Sequence, residues 1–195
     1  VQEYVEAIII AILIALFIRT FIVAAYKIPS RSMEPTLLVG DHLLVNKFIY
    51  GIKIPVIRKI LVPFTSPQRG DIIVFIYPHD RSKDFIKRVI GTEGDKIEIK
   101  NKKIFINDKE YSDNFGVYSD SVVYPASLQP RDNFGPVVVP SNAVFVMGDN
   151  RDESADSRFW GFVDLKDVEG KALIIYWSWN SEEKEDILWK LRWNR

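Results

Sequence analysis

The side chains of this chain that could act as nucleophiles are hydroxyl, amino and carboxylate groups, because its 195 residues include no cysteine. It has two histidines, His42 in GDHLL and His79 in YPHDRS, and neither stands in a recognisable catalytic triad or in metal-ligand spacing. No glycine-rich phosphate loop is present either. The residue types therefore favour a serine paired with a lysine as general base, in a site with no metal and no cofactor.

Lys87 has the surroundings that a lysine base needs. A lysine accepts a proton only when it is neutral, which requires a pKa several units below about 10.4. Lys87 lies in the predicted strand Phe85–Ile90, where hydrophobic residues flank it, and burial among such residues lowers a lysine pKa. The same pattern also suits an ordinary surface lysine on a half-buried strand, which is the commoner case.

The candidate serines lie in the segment IPSRSMEPTL, residues 28–37, with Pro29 and Pro35 on either side of them. Proline restricts such a segment to an extended or turned backbone. Ser30 and Ser32 stand two residues apart, so a rigid loop could direct one hydroxyl and one backbone N–H toward the same point. Loops of this composition are common turns, and the spacing alone does not assign a nucleophile.

The first element that must position these groups is an apolar helix within residues 1–26, which carry only three charges. From Val5 to Ala25 the segment is long enough, as a helix, to cross most of the ~30 Å core of a bilayer. We interpret it as a single-span transmembrane signal anchor. A cleavable signal peptide and a buried core helix are the alternatives.

Residues 27–195 are predicted to form one β-rich domain, because short strand-like runs recur between Gly, Pro, Asn and Asp clusters. Residues 48–67, apolar with interspersed Lys and Arg, form either an ordinary hairpin or a membrane-facing one. Residues 111–136 are predicted to be a loop or insertion, and 182–192 are ambiguous between helix and strand. The predicted strands are His42–Lys47, Asp71–Tyr77, Phe85–Ile90, Lys96–Ile99, Lys103–Ile106 (after a tight turn at Asn101-Lys102), Val137–Val139, Ala143–Met147 and Lys171–Trp179.

Composition and charge exclude some functions. Hydrophobic residues make up 47% of the chain and charged residues 27%, which is typical of folded rather than disordered proteins. The 26 basic and 26 acidic side chains leave no net charge, so a nucleic-acid binder held by a broad basic surface is disfavoured. At roughly 150 residues per domain, the length indicates one domain with an appendage.

Four sequence blocks follow one another behind the apolar segment. They are Ile28–Asp41 (IPSRSMEPTLLVGD), Gly70–Phe75 (GDIIVF), Phe85–Ile97 (FIKRVIGTEGDKI) and Val146–Gly161 (VMGDNRDESADSRFWG). The fourth, with its GDNRDxSxDSRxWG string, is highly specific. The chain resembles bacterial type I signal peptidases, the membrane-anchored Ser/Lys leader peptidases. This resemblance implies a mainly β fold, in which an uncleaved N-terminal transmembrane helix precedes an antiparallel, coiled or barrel-like β-sheet catalytic domain.

The resemblance also implies roles for single residues. Ser32 matches the nucleophile and Lys87 the general base. Ser30 matches the serine whose hydroxyl forms the oxyanion hole with the backbone N–H of Ser32, and Ser154 matches the serine that orients the base.

Two further sets of residues follow from the same resemblance. Asp156 and Arg158 match a supporting ion pair, and we interpret residues 149–151 as structural support. Shallow apolar pockets for small substrate side chains are expected from Ile28, Pro29, Met33, Leu37, Phe85 and Ile86.

The implied function is cleavage of N-terminal signal peptides from exported preproteins after small residues, at sites of the Ala-x-Ala type. The expected partners are preprotein signal peptides and the lipid bilayer, without nucleic acid, and the protein is expected to be monomeric. The resemblance places it in the bacterial cytoplasmic (inner) membrane as a single-pass protein, with its catalytic domain on the outer, periplasmic side.

Departures from the family pattern are small, and three rival interpretations fit less well. Glu153 stands where asparagine is frequent, and Thr92-Glu93 replaces a proline-containing turn. A self-cleaving Ser/Lys repressor would need a DNA-binding or partner-binding N-terminus where this chain has an apolar helix. An inactive preprotein-binding relative would lack Ser32 or Lys87, and the eukaryotic-type enzyme has histidine in place of the lysine.

Overall fold

The computed structural model describes residues 2–53 and 60–179. It begins with a 20-residue helix, α1 (Gln2–Phe21), with a mean hydropathy of 2.2 and no buried residue. At 1.5 Å per residue such a helix reaches about 30 Å, the thickness of a bilayer core. A helix that is apolar and exposed on all faces is unsuited to water, and the alternative of a buried core helix is not what the structure shows.

The helix ends earlier than the predicted anchor boundary at residue 26. Strand β1 (Val23–Lys27) follows directly and pairs antiparallel with β2 (Asp41–Asn46) from Val23↔Asn46 to Lys27↔His42. Tertiary pairing with β2 therefore overrides the helical tendency of the last apolar residues of this segment, which the sequence pattern of a continuous apolar run could not reveal.

The described residues after α1 form antiparallel sheets joined by turns and loops, so the prediction of a mainly β domain behind an apolar helix is confirmed. A seven-stranded sheet has the order β1-β2-β13-β5-β6-β11-β12, a four-stranded sheet the order β10-β7-β8-β9, and β3 pairs with β4. The strands after β2 are β3 (Ile52–Lys53), β4 (Ile60–Val62), β5 (Ile72–Ile76), β6 (Asp84–Gly91), β7 (Lys96–Lys100), β8 (Lys103–Ile106), β9 (Lys109–Glu110), β10 (Phe134–Val138), β11 (Ala143–Met147), β12 (Val163–Asp164) and β13 (Val168–Ser178).

Local sequence explains several of these elements. Asn101 and Lys102 both have positive φ, and they join β7 to β8 in the tight hairpin that the sequence predicts. The long strand β13 pairs first with β5, over Val168–Lys171, and then with β2, over Lys171–Ser178, through register shifts that bend and twist the sheet. The short helix α2 (Ser157–Trp160) was not predicted. Residues 182–192 and part of the predicted 48–67 hairpin lie outside the described residues.

Strand β6 is the element that positions the candidate site. It lies between β5 and β11 in the large sheet, and its register pairs Lys87 with Ile73. From Ile86 to Gly91 every residue of the strand is buried. A lysine placed here therefore has its side chain inside the domain.

Candidate active site

Ser32 lies in a one-turn 3-10 helix, Arg31–Met33, on the connection from β1 to β2. The turn is fixed at both ends, because Ile28 N–H donates to Asp41 O over 2.8 Å and Leu37 N–H donates to Met33 O over 2.9 Å. Ile28, Met33 and Leu37 are all buried in one apolar cluster with β2, β5 and β6. Packing of these three side chains holds the nucleophile candidate against β6.

The side chains of Ser32 and Lys87 meet in this arrangement. The Nζ of Lys87 donates to Ser32 Oγ over 2.6 Å and to the carbonyl of Ile86 over 3.0 Å. Lys87 is 4% exposed and Ser32 is 7% exposed. The contact is therefore shielded from bulk water, which strengthens the hydrogen bond and disfavours a charge on the lysine.

Burial lowers the pKa of Lys87 to about 8, against the opposing effect of the Asp156 and Asp149 carboxylates. The positive charge of Arg158 lowers it further. With a pKa near 8, about one lysine in ten is neutral at pH 7. A neutral Nζ at this distance can accept the hydroxyl proton of Ser32.

Ser30 lies beside this pair on the exposed side of the turn, with its Oγ 3.4 Å from the Oγ of Ser32. The 3.4 Å separation makes this a weak hydrogen bond at most, since O–H···O bonds are strongest near 2.7 Å. The hydroxyl of Ser30 is therefore free to turn toward a group bound next to Ser32.

The segment Gly148–Arg151 packs behind Ser32 and is called the brace below. Asn150 N–H donates to the carbonyl of Ser32 over 3.1 Å. A side chain at position 148 would collide with Ser154 Oγ and the Ser32 carbonyl. Sequence reasoning did not assign Gly148 to the site, and its place in the GDN string was the one available signal.

Ser154 is buried next to Gly148 and the backbone of Ser32. Its Oγ has no hydrogen bond of good geometry among the described residues, although it lies near enough to Asp156 to help lower the pKa of that carboxyl. The orienting role that the resemblance implies for Ser154 therefore stays a proposal.

Asp156 and Arg158 form a buried, two-pronged ion pair, with 2.8 Å from Nε to Oδ1 and 2.8 Å from Nη2 to Oδ2. Burial alone would raise the pKa of Asp156, but the charge and hydrogen bonds of Arg158 hold it below the ordinary value. The carboxylate also accepts from Gly148 N–H over 3.1 Å. The ion pair therefore holds the N-terminus of α2 next to Gly148, behind Ser32.

Arg88, next to Lys87 on β6, makes a second such pair that joins three of the four sequence blocks. Its Nε and Nη2 donate to the two oxygens of Asp149 over 2.7 and 2.6 Å, and its Nη1 donates to Gly70 O over 2.8 Å. Arg88 was not among the predicted site residues. The KR pair in the third block was the signal that could have identified it.

A cavity of about 230 Å³ opens beside the dyad. Of the six residues expected to line substrate pockets, Ile28, Pro29, Phe85 and Ile86 line this cavity, whereas Met33 and Leu37 lie in the apolar cluster and not on its wall. The full lining is Tyr26, Lys27, Ile28, Pro29, Ser30, Val74, Asp84, Phe85, Ile86 and Lys87.

Comparison with known proteins assigns a family to this arrangement. The model of the family described as "Signal peptidase, peptidase S26" matches residues 1–177. The chain belongs to that family. It is therefore a bacterial type I signal peptidase, a peptidase of the hydrolase class, and the resemblance stated from the four blocks is confirmed.

Several members of the family are similar over most of their length. Signal peptidase I of Pseudomonas fluorescens is 37% identical over 206 residues, which cover 91% of this chain and 72% of that protein. Signal peptidase I of Aquifex aeolicus is 38% identical over 218 residues, covering 86% and 80%. A crystal structure of a signal peptidase I from Enterococcus faecalis superposes on 57% of this chain and 99% of that one, with 30% identity and a TM-score of 0.44.

Among the described residues of this signal peptidase, no group of three or more His, Asp or Glu side chains is placed to hold a metal ion. The groups that surround the dyad are instead paired carboxylates and guanidiniums, together with serine hydroxyls. Such a site can accept and return a proton and can donate hydrogen bonds to an oxyanion.

Proposed function

We propose that this signal peptidase is a serine endopeptidase that uses a Ser32/Lys87 dyad to remove signal peptides from exported preproteins at the membrane surface. The observation that carries the proposal is the 2.6 Å contact between Ser32 Oγ and a buried Lys87 Nζ. Because burial lowers the pKa of that lysine to about 8, one contact supplies a nucleophile and a base that is partly neutral near pH 7.

In the proposed reaction, neutral Lys87 takes the proton of Ser32 as its Oγ attacks the scissile carbonyl carbon. The C–N bond then breaks, and the protonated Lys87 returns the proton to the leaving amine. A water molecule, from which Lys87 removes a proton, then attacks the ester carbon; the C–O bond to Ser32 breaks, and Lys87 returns the proton to Ser32 Oγ, which regenerates the serine. No group besides the two side chains and water is needed for the proton balance.

The oxyanion formed in these steps needs hydrogen-bond donors in place before the reaction. We assign this role to the hydroxyl of Ser30 and the backbone N–H of Ser32. The support is the position of Ser30 beside Ser32, with only a weak hydrogen bond between their hydroxyls. One such donor lowers the barrier of acyl transfer by about 3–4 kcal/mol in other enzymes.

The cavity supports a preference for small residues before the cleaved bond. Ile28, Pro29, Phe85 and Ile86 supply apolar walls, and the dyad lysine lies on its boundary. A small pocket gains little from one methyl group, but it rejects large side chains by collision. Cleavage after Ala-x-Ala sequences agrees with walls of this kind.

The membrane part of the proposal rests on α1, the one span candidate among the described residues. We propose that α1 is a signal anchor, shorter than the expected anchor of residues 1–26 because β1 begins at Val23, and that the β domain from β1 onward is a peptidase domain on the outer side of the inner membrane. Exposed Phe48, Leu61, Val62 and Phe64 support a hairpin within residues 48–67 that faces the membrane.

An anchored enzyme meets a membrane-held signal peptide at high effective concentration. We propose that it acts as a monomer, because one chain holds both residues of the dyad.

The test is cleavage of a preprotein by the full chain in detergent micelles, with Ser32→Ala and Lys87→Ala as the decisive variants. We expect both variants to lose cleavage by at least about a thousandfold. A matched control is Lys96→Ala, which removes an exposed lysine of β7 whose partner is Asp108. Wild-type cleavage by either dyad variant would overturn the assignment.

A further inference from the structure

The loop at 111–136 contacts the brace behind the dyad through one short segment, Asp113–Val117. Val117 N–H donates to the carbonyl of Asp149 over 2.8 Å, and Arg151 N–H donates to the carbonyl of Val117 over 2.9 Å. These two bonds form a parallel bridge between Val117 and Asn150. The loop therefore pairs, strand against strand, with the segment that also hydrogen-bonds the backbone of Ser32.

Two side chains of the segment, those of Asp113 and Phe115, contact the guanidinium groups of Arg151 and Arg88. The carboxylate of Asp113 forms an ion pair with Arg151, and both side chains are almost fully buried. Arg151 in turn donates from Nε to the carbonyl of Gly148 over 3.0 Å. A buried guanidinium without a partner is strongly destabilising, so the ion pair with Asp113 helps to stabilise Arg151 in this position.

Phe115 covers the second guanidinium. The Arg88 Cζ lies 3.7 Å from the centroid of the Phe115 ring, within the range of a cation–π interaction. Phe115 is 46% exposed, whereas Arg88 is buried. The ring thus separates the Arg88–Asp149 ion pair from water, and Arg88 is the neighbour of Lys87 on β6.

Both halves of the dyad depend on the groups that this segment touches. Asn150 holds the backbone of Ser32, and Arg88 follows Lys87 on the strand. We propose that Asp113–Val117 is a clamp, in which Asp113 and Phe115 are positioning residues that set the approach of Ser32 to Lys87. The inference rests on the proposed function, because it concerns the rate of the step that the dyad performs.

The clamp predicts an effect on kcat rather than on KM. None of its residues lines the cavity beside the dyad, so substrate binding should be unaffected. A displacement of 1 Å can cost about a hundredfold in rate, and loss of one ring over the ion pair should displace the dyad by less. We expect Phe115→Ala to lower kcat about tenfold with KM within twofold of the wild type.

The experiment measures kcat and KM for preprotein cleavage by the full chain in micelles, with Phe115→Ala, Phe115→Leu and Phe115→Tyr. Tyr keeps the aromatic face and should restore most of kcat, whereas Leu keeps apolar contact without the ring and should not. Leu128→Ala, an exposed apolar residue of the same loop, is the matched control and should match the wild type.

The outcomes distinguish a failure of the clamp proposal from a failure of the proposed function. If Ser32→Ala and Lys87→Ala are inactive while Phe115→Ala and Phe115→Leu keep wild-type kcat, the clamp is wrong and the proposed function stands. A loss that Tyr does not restore, or that appears in KM, also overturns the clamp. Retained cleavage by the dyad variants contradicts the proposed function itself, whatever Phe115 does.

Discussion

Lys87 is subject to two opposing influences on its charge. Burial disfavours the ammonium form, whereas the carboxylates of Asp156 and Asp149 favour it. Each carboxylate is held in a two-pronged pair with an arginine, Arg158 and Arg88 respectively. Because these pairs neutralise the carboxylates, burial remains the larger effect and the lysine pKa falls. The two ion pairs thus limit how far the Asp156 and Asp149 carboxylates raise the pKa of Lys87.

Gly148 gives a prediction at the scale of one residue. A methyl group at this position would meet Ser154 Oγ and the carbonyl of Ser32, so the brace and the nucleophile would have to move apart. We expect Gly148→Ala to lower kcat by more than about tenfold and the free energy of unfolding by about 1–3 kcal/mol. Cleavage kinetics and urea unfolding in micelles measure the two effects.

Gly94→Ala is the comparison for this prediction, because nothing lies within 4 Å of the Cβ that it adds, although its φ is +81°. We expect it to cost stability through backbone strain while leaving kcat unchanged. Wild-type kcat in Gly148→Ala would contradict a close-packed brace under Ser32.

The proposed dyad combines two features that a sequence can display, although only the family resemblance assigned both residues to one site. Lys87 stands in an apolar strand, and Ser32 lies in a segment that Pro29 and Pro35 restrict. The pairing of Asp113 with Arg151 and the ring of Phe115 over Arg88 could not be predicted. They join a polar loop to residues 27 or more positions away, and nothing in the local pattern of the loop marks its partner.

At the scale of elements, the hairpin of β3 and β4 presents apolar side chains to solvent. Phe48 and Phe64 stack edge to face at 4.8 Å between ring centroids, and both are more than 40% exposed. An exposed aromatic pair of this kind gains free energy by entering a membrane interface. We propose that this hairpin is a second point of attachment to the membrane beside α1.

This attachment can be measured with the full chain. We expect the double variant Phe48→Ser/Phe64→Ser to lower kcat/KM several-fold on a preprotein held in lipid vesicles, while its kcat/KM in detergent micelles stays at the wild-type value. Val138→Ser, which removes an apolar side chain that is 61% exposed on β10, should change neither. Equal loss in vesicles and in micelles would contradict a membrane-facing hairpin.

At the scale of the whole molecule, several paired carboxylates link stability to pH. Arg158 holds the pKa of Asp156 below its ordinary value, and hydrogen bonds from Thr92 and Arg69 do the same for Asp95, in both cases against the effect of burial. A carboxyl whose folded pKa is depressed stabilises the fold above its unfolded pKa, and that contribution is lost as pH falls through the folded pKa.

We therefore expect the free energy of unfolding to be highest above about pH 5 and to fall steadily below about pH 4. Urea unfolding in micelles, followed by tryptophan fluorescence across this range, measures the effect. Asp95→Asn should reduce the slope, since it removes one of the contributing carboxyls. A free energy that is constant or rising from pH 5 to pH 3 would show that these pairs do not stabilise the fold.

The whole chain joins an apolar helix to a β domain in which a buried lysine can lose its proton, and the pH dependence of kcat/KM tests that claim most directly. In the proposed mechanism cleavage requires neutral Lys87, so kcat/KM should rise with pH and level off above an apparent pKa of about 8, the lowered pKa of Lys87. A rise centred near 10.4, the value of an unperturbed lysine, would contradict the account.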